Sequence, residues 1–430
     1  MKINYKNFFF QTLPFYLTFL LPVFLVTGPF LSDLAITVCA IIFLINSYKN
    51  NLLTYYKNKF FIYFIIFYFY LNLSSLLSSN VIFSLQTSLT YLRFGIFALS
   101  TWYILKNDER LIKYYLYCFL IVFLFLEIDG IYQYVNKENL FGYPLLQNRV
   151  SSLFTNELIL GSFVSRTYPL FLGLFLYYTK YYKISEKTAF LFNLTFIIAP
   201  ILIFLSGERA SFFFSLISLC YIIIFLPKKK IILNFFISFF FIILGILFLE
   251  GRFSDRIINQ TKEQLFFGEK KEQTNKIRVF SEAHEAHYKS ALKIFEDNIF
   301  TGSGPKSFRL KCLEEKYKIT EFSCTTHPHN TYIQLLSETG IIGFLFIFYL
   351  FLLLCLTSIK MIYNKYFFHK NEIEPIKVCL FAYFLIILWP IVPSGNFFNN
   401  WLNVIYYLPL GFFLWIVEKN KLKKTSNVKT

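Results

Sequence analysis

Residues 228–249 read KKKIILNFFISFFFIILGILFL. Three lysines precede nineteen uncharged residues. A helix rises 1.5 Å per residue, so about 20 residues cross the roughly 30 Å hydrocarbon core of a bilayer. The run is too long and too evenly apolar for the one-sided helix of a water-soluble domain. Similar runs recur from end to end, and twelve spans are expected: 8–26, 30–45, 60–77, 81–105, 111–134, 156–178, 188–205, 210–226, 231–249, 331–358, 376–392 and 401–417. Over the 430 residues, 56% are apolar and 16% charged, against about a quarter charged in soluble domains. The expected fold class is all-α, a polytopic membrane protein with about 12 transmembrane helices and one large periplasmic loop. Residues 1–249 carry helices one to nine, 250–330 the loop with short helices, 331–417 helices ten to twelve, and 418–430 a basic cytoplasmic tail. No small-residue cleavage site precedes Gly28, so the first span reads as retained rather than as a removed signal peptide.

A formal charge of +17 raises the question of nucleic acid, and its placement answers it. With the N-terminus in the cytoplasm, the excess falls on connections that share that side, such as Lys228 to Lys230 and the tail lysines Lys421, Lys423 and Lys424, as the positive-inside rule requires. No basic face is left over for nucleic acid, and the partners implied by composition are membrane lipids. Of seven cysteines, Cys39, Cys118, Cys220, Cys355 and Cys379 lie in apolar runs and read as packing. Cys312 and Cys324 fall in the long outer loop, where oxidation is permitted. A disulfide between them is possible, and neither has metal-site spacing.

The outer loop from Glu250 to His329 holds 14 Lys+Arg and 12 Asp+Glu, so it faces water. Loops of this length are usually functional. Helical character is expected over 276–300, followed by a turn at Gly302, Ser303, Gly304 and Pro305. A second outer loop, 135–153, contains Arg149. A third is little more than Ser206, Gly207, Glu208 and Arg209.

The most specific pattern is His327-Pro328-His329-Asn330, then nine residues, then Gly340-Ile341-Ile342-Gly343. Proline is favoured at the first helical position, which predicts His329 and Asn330 in the first turn of the tenth span. In a continuous helix Gly340 then lies below His329 on nearly the same face, about 16 Å away. Gly340 and Gly343 remove side chains where another helix or a lipid could approach. Asn330, Gln334 and Glu338 form a polar stripe. For His329 the plain alternative is a hydrogen-bonding histidine at a helix start. A helix N-terminus favours neutral imidazole and attracts phosphate, so general-base chemistry is the functional reading.

Taken together, the His329-Asn330-x9-Gly340-x-x-Gly343 pattern, the twelve spans and the large outer loop resemble the bacterial O-antigen ligases, in a superfamily that also holds O-antigen polymerases and protein O-glycosylating enzymes. The segment Arg278 to Phe308, with Gly302 and Gly304, is similar to the stretch ahead of the family's histidine, and Ser206 to Arg209 resembles its short arginine-bearing loop. The resemblance implies transfer of a glycan from undecaprenyl-pyrophosphate to a sugar hydroxyl of lipid A core, on the periplasmic face of the bacterial inner membrane. His329 would be the base, and Arg209, Arg278 and, by topology, Arg149 would hold the pyrophosphate. It implies no metal and no cofactor. A polymerase acting on a growing glycan is the near alternative; a lipid-linked oligosaccharide flippase or transporter is the distant one, which would place its key groups at mid-membrane.

Weaker signals are set lower. His284 and His287, with Glu282 and Glu285, lack the order of a zinc hydrolase helix. Arg93, Glu127, Asp129 and Arg166 are ionisable groups in or near spans, where burial is costly and usually tied to function, although helix-locking ion pairs explain them equally.

Overall fold

A computed structural model of the chain describes residues 8–248, 254–266, 279–368 and 373–427. Among the described residues every regular element is helical, apart from two isolated bridges that pair Glu138 with Pro144 and Leu146 with Arg149. A bilayer demands this, because backbone groups that find no water must pair within their own segment.

The chain enters on α1 (Leu13–Phe19) and α2 (Leu21–Thr27), which meet at a 53° bend where Pro22 has no N–H to give. There follow α3 (Pro29–Lys49), α4 (Lys59–Leu76), α5 (Val81–Thr90), α6 (Leu92–Asn107), α7 (Arg110–Asn136), α8 (Leu160–Tyr181), α9 (Glu186–Leu205), α10 (Arg209–Phe225) and α11 (Lys229–Phe248). Next come three shorter elements, α12 (Gln260–Phe266), α13 (Glu282–Asp297) and α14 (Phe308–Lys311). The last helices are α15 (Thr331–Phe367), α16 (Pro375–Ile387) and α17 (Asn400–Asn427).

Each of the twelve expected spans coincides with one of these helices or a consecutive pair. Among the described residues eight helical segments are long and apolar enough to cross a membrane, one of them α5 and α6 taken together, or nine if the bent pair α1–α2 counts as one. The others differ for physical reasons. Helix α8 carries Arg166, α10 has 17 residues and α16 has 13, which gives α16 a length of only about 20 Å. These helices are packed between others: α16 lies against α8 and α10, and α17 against α6. The phenylalanines fill the interior, with centroids of Phe171 4.8 Å from Phe123 and 5.0 Å from Phe196, within the range aromatic pairs favour.

Outside the long helices, α13 is capped by Ser281, whose hydroxyl accepts from His284 N. It buries Ala291 and Ile294 against Phe308, Cys312 and Tyr317 in a small second core. A disulfide joins Cys312 to Cys324, with Cα atoms 5.0 Å apart.

The continuous helix expected from His329 through Gly340 is not what forms. Gly340 has φ 65° and ψ −172° and breaks α15. Hydrogen-bond partners are exchanged there. Ile341 N, which a continuous helix would direct to Ser337 O, donates instead to Ile299 O at 2.7 Å, and Ser337 O accepts from Ser303 N at 3.0 Å. Glu338 O accepts from Gly304 N at 2.8 Å. Residues 299–304 therefore form a strap laid against the break. A Cβ on Gly340 would lie 2.3 Å from Phe300 O, and one on Gly302 would lie 2.3 Å from Thr339 N. What approaches the glycine is thus the chain's own strap rather than a lipid or another long helix. At Gly343 the close neighbours are Thr339 and Tyr70.

Candidate active site

Helices α3, α8, α10, α15 and α17 all begin around one cavity of about 1330 Å³. Its wall combines apolar groups, among them Phe154, Phe213, Trp389 and Trp401, with the side chains of Arg149, Arg166, Arg209, Arg309, His284, His327 and His329. The cavity brings together the candidate base and two of the three candidate pyrophosphate ligands. Arg278 lies outside the described residues.

His329 is not in a helical first turn. Asn330 takes the N-cap instead, its Oδ1 accepting from Tyr332 N at 2.9 Å and Ile333 N at 3.1 Å, the interaction for which asparagine is favoured at that position. His329 sits just outside the helix at φ 56°, a left-handed conformation that costs a non-glycine residue about 1–3 kcal/mol unless its surroundings hold it there. They do. Ser394 N donates to His329 O at 2.8 Å, and Thr331 N donates to Ser394 Oγ at 2.8 Å. Asn330 Nδ2 donates to Pro390 O at 2.9 Å. The polar stripe continues this grip: Gln334 Nε2 donates to Asn396 Oδ1 at 2.8 Å and to Glu338 Oε2 at 2.9 Å.

Three other histidines pack on His329. Its ring centroid lies 4.1 Å from that of His327 and 5.4 Å from those of His284 and His287. His284 and His287 had been set aside as a metal pair; no group of three or more potential metal ligands with metal-binding geometry occurs among the described residues. Burial holds the His329 imidazole down to about 3, with His327, His284 and His287 adding to the effect. His327 is held to about 4 by burial and by the Arg309 charge, and His284 to about 4 by burial, His287 and Arg209. The cluster is therefore neutral near pH 7, and each ring offers a nitrogen lone pair.

The arginines are fixed by polar contacts. Arg149 donates from Nε to Ser206 O at 3.0 Å and from Nη2 to Leu158 O at 3.1 Å. Arg209, the first residue of α10, donates from Nη1 to Thr261 Oγ1 at 3.3 Å. Arg166 lies with its guanidinium carbon 5.3 Å from the centre of the Phe214 ring and donates to Ser162 O at 3.3 Å. Glu208 spans the first turn of α8, accepting from Gly161 N at 2.7 Å, Ser162 N at 3.0 Å and Ser211 Oγ at 2.9 Å. Desolvation pushes its carboxyl above the usual range while Arg149 pulls it back. Glu208 and Arg309 had not been singled out. The Ser206–Arg209 loop pointed at the first; nothing local points at the second, whose place depends on the strap.

A bundle of membrane helices with neutral imidazoles and fixed guanidiniums around one cavity defines a multi-pass membrane protein. Residues 194–348 match the family model described as O-antigen ligase. No curated protein matches the chain. The family supports a membrane glycosyltransferase-like enzyme whose substrates are, in general terms, a lipid-linked glycan and an acceptor.

Proposed function

We propose that the protein transfers a glycan from undecaprenyl-pyrophosphate to a sugar hydroxyl of lipid A core, with the cavity facing the periplasm. The observation that carries this reading is that neutral His329 shares one cavity with Arg149, Arg166 and Arg209. The acceptor hydroxyl gives its proton to His329 as its oxygen attacks the anomeric carbon. The bond from that carbon to the pyrophosphate oxygen breaks with its electron pair leaving on the pyrophosphate, so the anomeric configuration inverts. Charge grows on the leaving group, where fixed guanidiniums stabilise it. An imidazole held to about 3 is a weak base in the empty cavity. Entry of the anionic donor raises its proton affinity, because a nearby negative charge favours the protonated form, so basicity arrives with the substrate.

The domain division at 250 and 331 and the pyrophosphate roles of Arg149, Arg209 and Arg278 belong to this proposal. A transporter reading fits less well, since the polar residues gather where helices begin rather than midway along them. Lipopolysaccharide profiling of a deletion strain tests the assignment. Loss of all capped core with accumulation of long lipid-linked polymer is expected; core bearing single repeat units would make the protein a polymerase instead.

A further inference from the structure

His329 shares its cavity with two groups of cations, here called poles. On one side Arg209 acts on His284, and Arg149 and Arg166 act together on Glu208. On the other, Arg309 acts on His327 and stands beside Lys306. The rings of His284 and His327 both pack on His329, so each group of cations acts on a ring in contact with the base. The second pole is unbalanced. Arg309 lines the cavity, and its Nε is buried without a hydrogen-bond partner. No described carboxylate lies within ion-pair distance of it. Glu338, whose charge reaches it, is already engaged, accepting from Lys306 N at 3.0 Å, Phe308 N at 3.1 Å and Gln334 Nε2 at 2.9 Å.

A half-buried guanidinium that lines a cavity with one N–H unpartnered and no ion pair among the described residues is placed to take an anion, and its planar fork suits the paired oxygens of a phosphate or carboxylate. The donor brings one pyrophosphate, which the first pole accommodates, and the acceptor must reach His329 from elsewhere in the same cavity. We propose that Arg309 is a specificity residue for the acceptor, pairing with a phosphate or carboxylate carried close to the attacking hydroxyl, so that the protein selects an anionic acceptor sugar. The inference rests on the transfer reading above, but its binding test does not require turnover.

The test uses the purified full-length chain in detergent. The probe is lipid A core oligosaccharide in three forms: native, dephosphorylated with hydrofluoric acid, and carboxyl-reduced with carbodiimide and borohydride. Binding is followed by tryptophan fluorescence, since Trp389 and Trp401 line the cavity, and transfer is followed with a polyprenyl-pyrophosphate donor. One of the two modifications should weaken acceptor binding about tenfold, which identifies the anion. Arg309→Gln should weaken native-acceptor binding by a similar factor, abolish discrimination among the three forms and leave the donor KM in place; Arg309→Lys should recover part. Equal binding of all three forms by the unsubstituted protein, or an Arg309→Gln effect on the donor KM instead, overturns the proposal. Unchanged thermal unfolding of the variant separates lost recognition from lost folding. Specific acceptor binding without any transfer would sink the ligase reading and leave Arg309 as an anion-binding residue.

Discussion

Replacing Gly340 with alanine tests the strap directly. Its φ of 65° with ψ of −172° lies in a region essentially reserved for glycine, and a side chain there costs about 1–3 kcal/mol in backbone strain. The added Cβ would also lie 2.3 Å from Phe300 O and 2.7 Å from Ile299 O, so the strap must move away. That breaks the bonds from Ser303 N to Ser337 O, from Gly304 N to Glu338 O and from Ile341 N to Ile299 O, each worth about 1 kcal/mol net. The total is a loss of about 4–6 kcal/mol. Gly142→Ala is the control, because Gly142 has φ 79° but nothing within 4 Å of the added carbon, leaving only the strain. Reversible unfolding of the two purified variants in mixed detergent micelles gives the comparison. Gly340→Ala should fall about 3 kcal/mol below Gly142→Ala, the worth of the three strap bonds. Equal stability of the two would refute the partner exchange at the break.

His329→Gln should lower transfer by 10² to 10⁴, the usual worth of a general base, with protein level and donor binding preserved; His327→Gln should be milder, and equal effects on turnover would remove His329 from the proton-accepting role. Arg209→Ala and Arg149→Ala should each cut transfer severely, with Lys restoring part because the planar fork is lost; wild-type turnover in both would dissociate the first pole from the pyrophosphate. For pH, the unfolded chain binds protons on these histidines below about 6.5 whereas the folded cluster resists them down to about 3 to 4. Stability should therefore hold above pH 6.5 and fall as pH drops toward 4, a decline that His327→Asn should reduce and that thermal unfolding at stepped pH would measure. Reporter fusions at Lys230 and at Lys365 should be cytoplasmic and fusions between Glu282 and Thr326 periplasmic, and a cytoplasmic signal from the latter would part the histidines from a periplasmic glycan.

The spans were legible because a bilayer imposes a length and an apolarity that show within a single segment, and α11 and α9 meet both. Helix α16 shows where this fails: an expected run from Ile376 to Val392 becomes a helix ending at Ile387, because 389–399 turns inward to hold His329. The position of His329 was misread for a local reason. The proline rule competed with the asparagine cap, and the cap won, so the helix starts at Thr331, two residues beyond His329. The break at Gly340 left no trace in periodicity, since what compensates for the lost helical bonds is a strap some 40 residues earlier in the chain. Arg209 was legible because the short loop Ser206 to Arg209 resembles the arginine-bearing loop of the O-antigen ligases. Arg309 was not, because an arginine in a charged, water-facing segment looks like any solvated residue until the fold turns it into a cavity.

The grip on His329 has a consequence for how the reacting groups can be inherited or exchanged. The segment matching the family model is 194–348, yet the carbonyl of His329 is caught by Ser394, Asn330 by Pro390 and Gln334 by Asn396, while Arg149 and Arg166 come from ahead of the segment. The recognisable block is thus a keystone without its own abutments. A chimera that grafts 194–348 alone into a relative would carry the histidine but not the connection that clamps its backbone. Grafts should work only where the recipient's connection between its last two helices, and its arginines ahead of the block, already match.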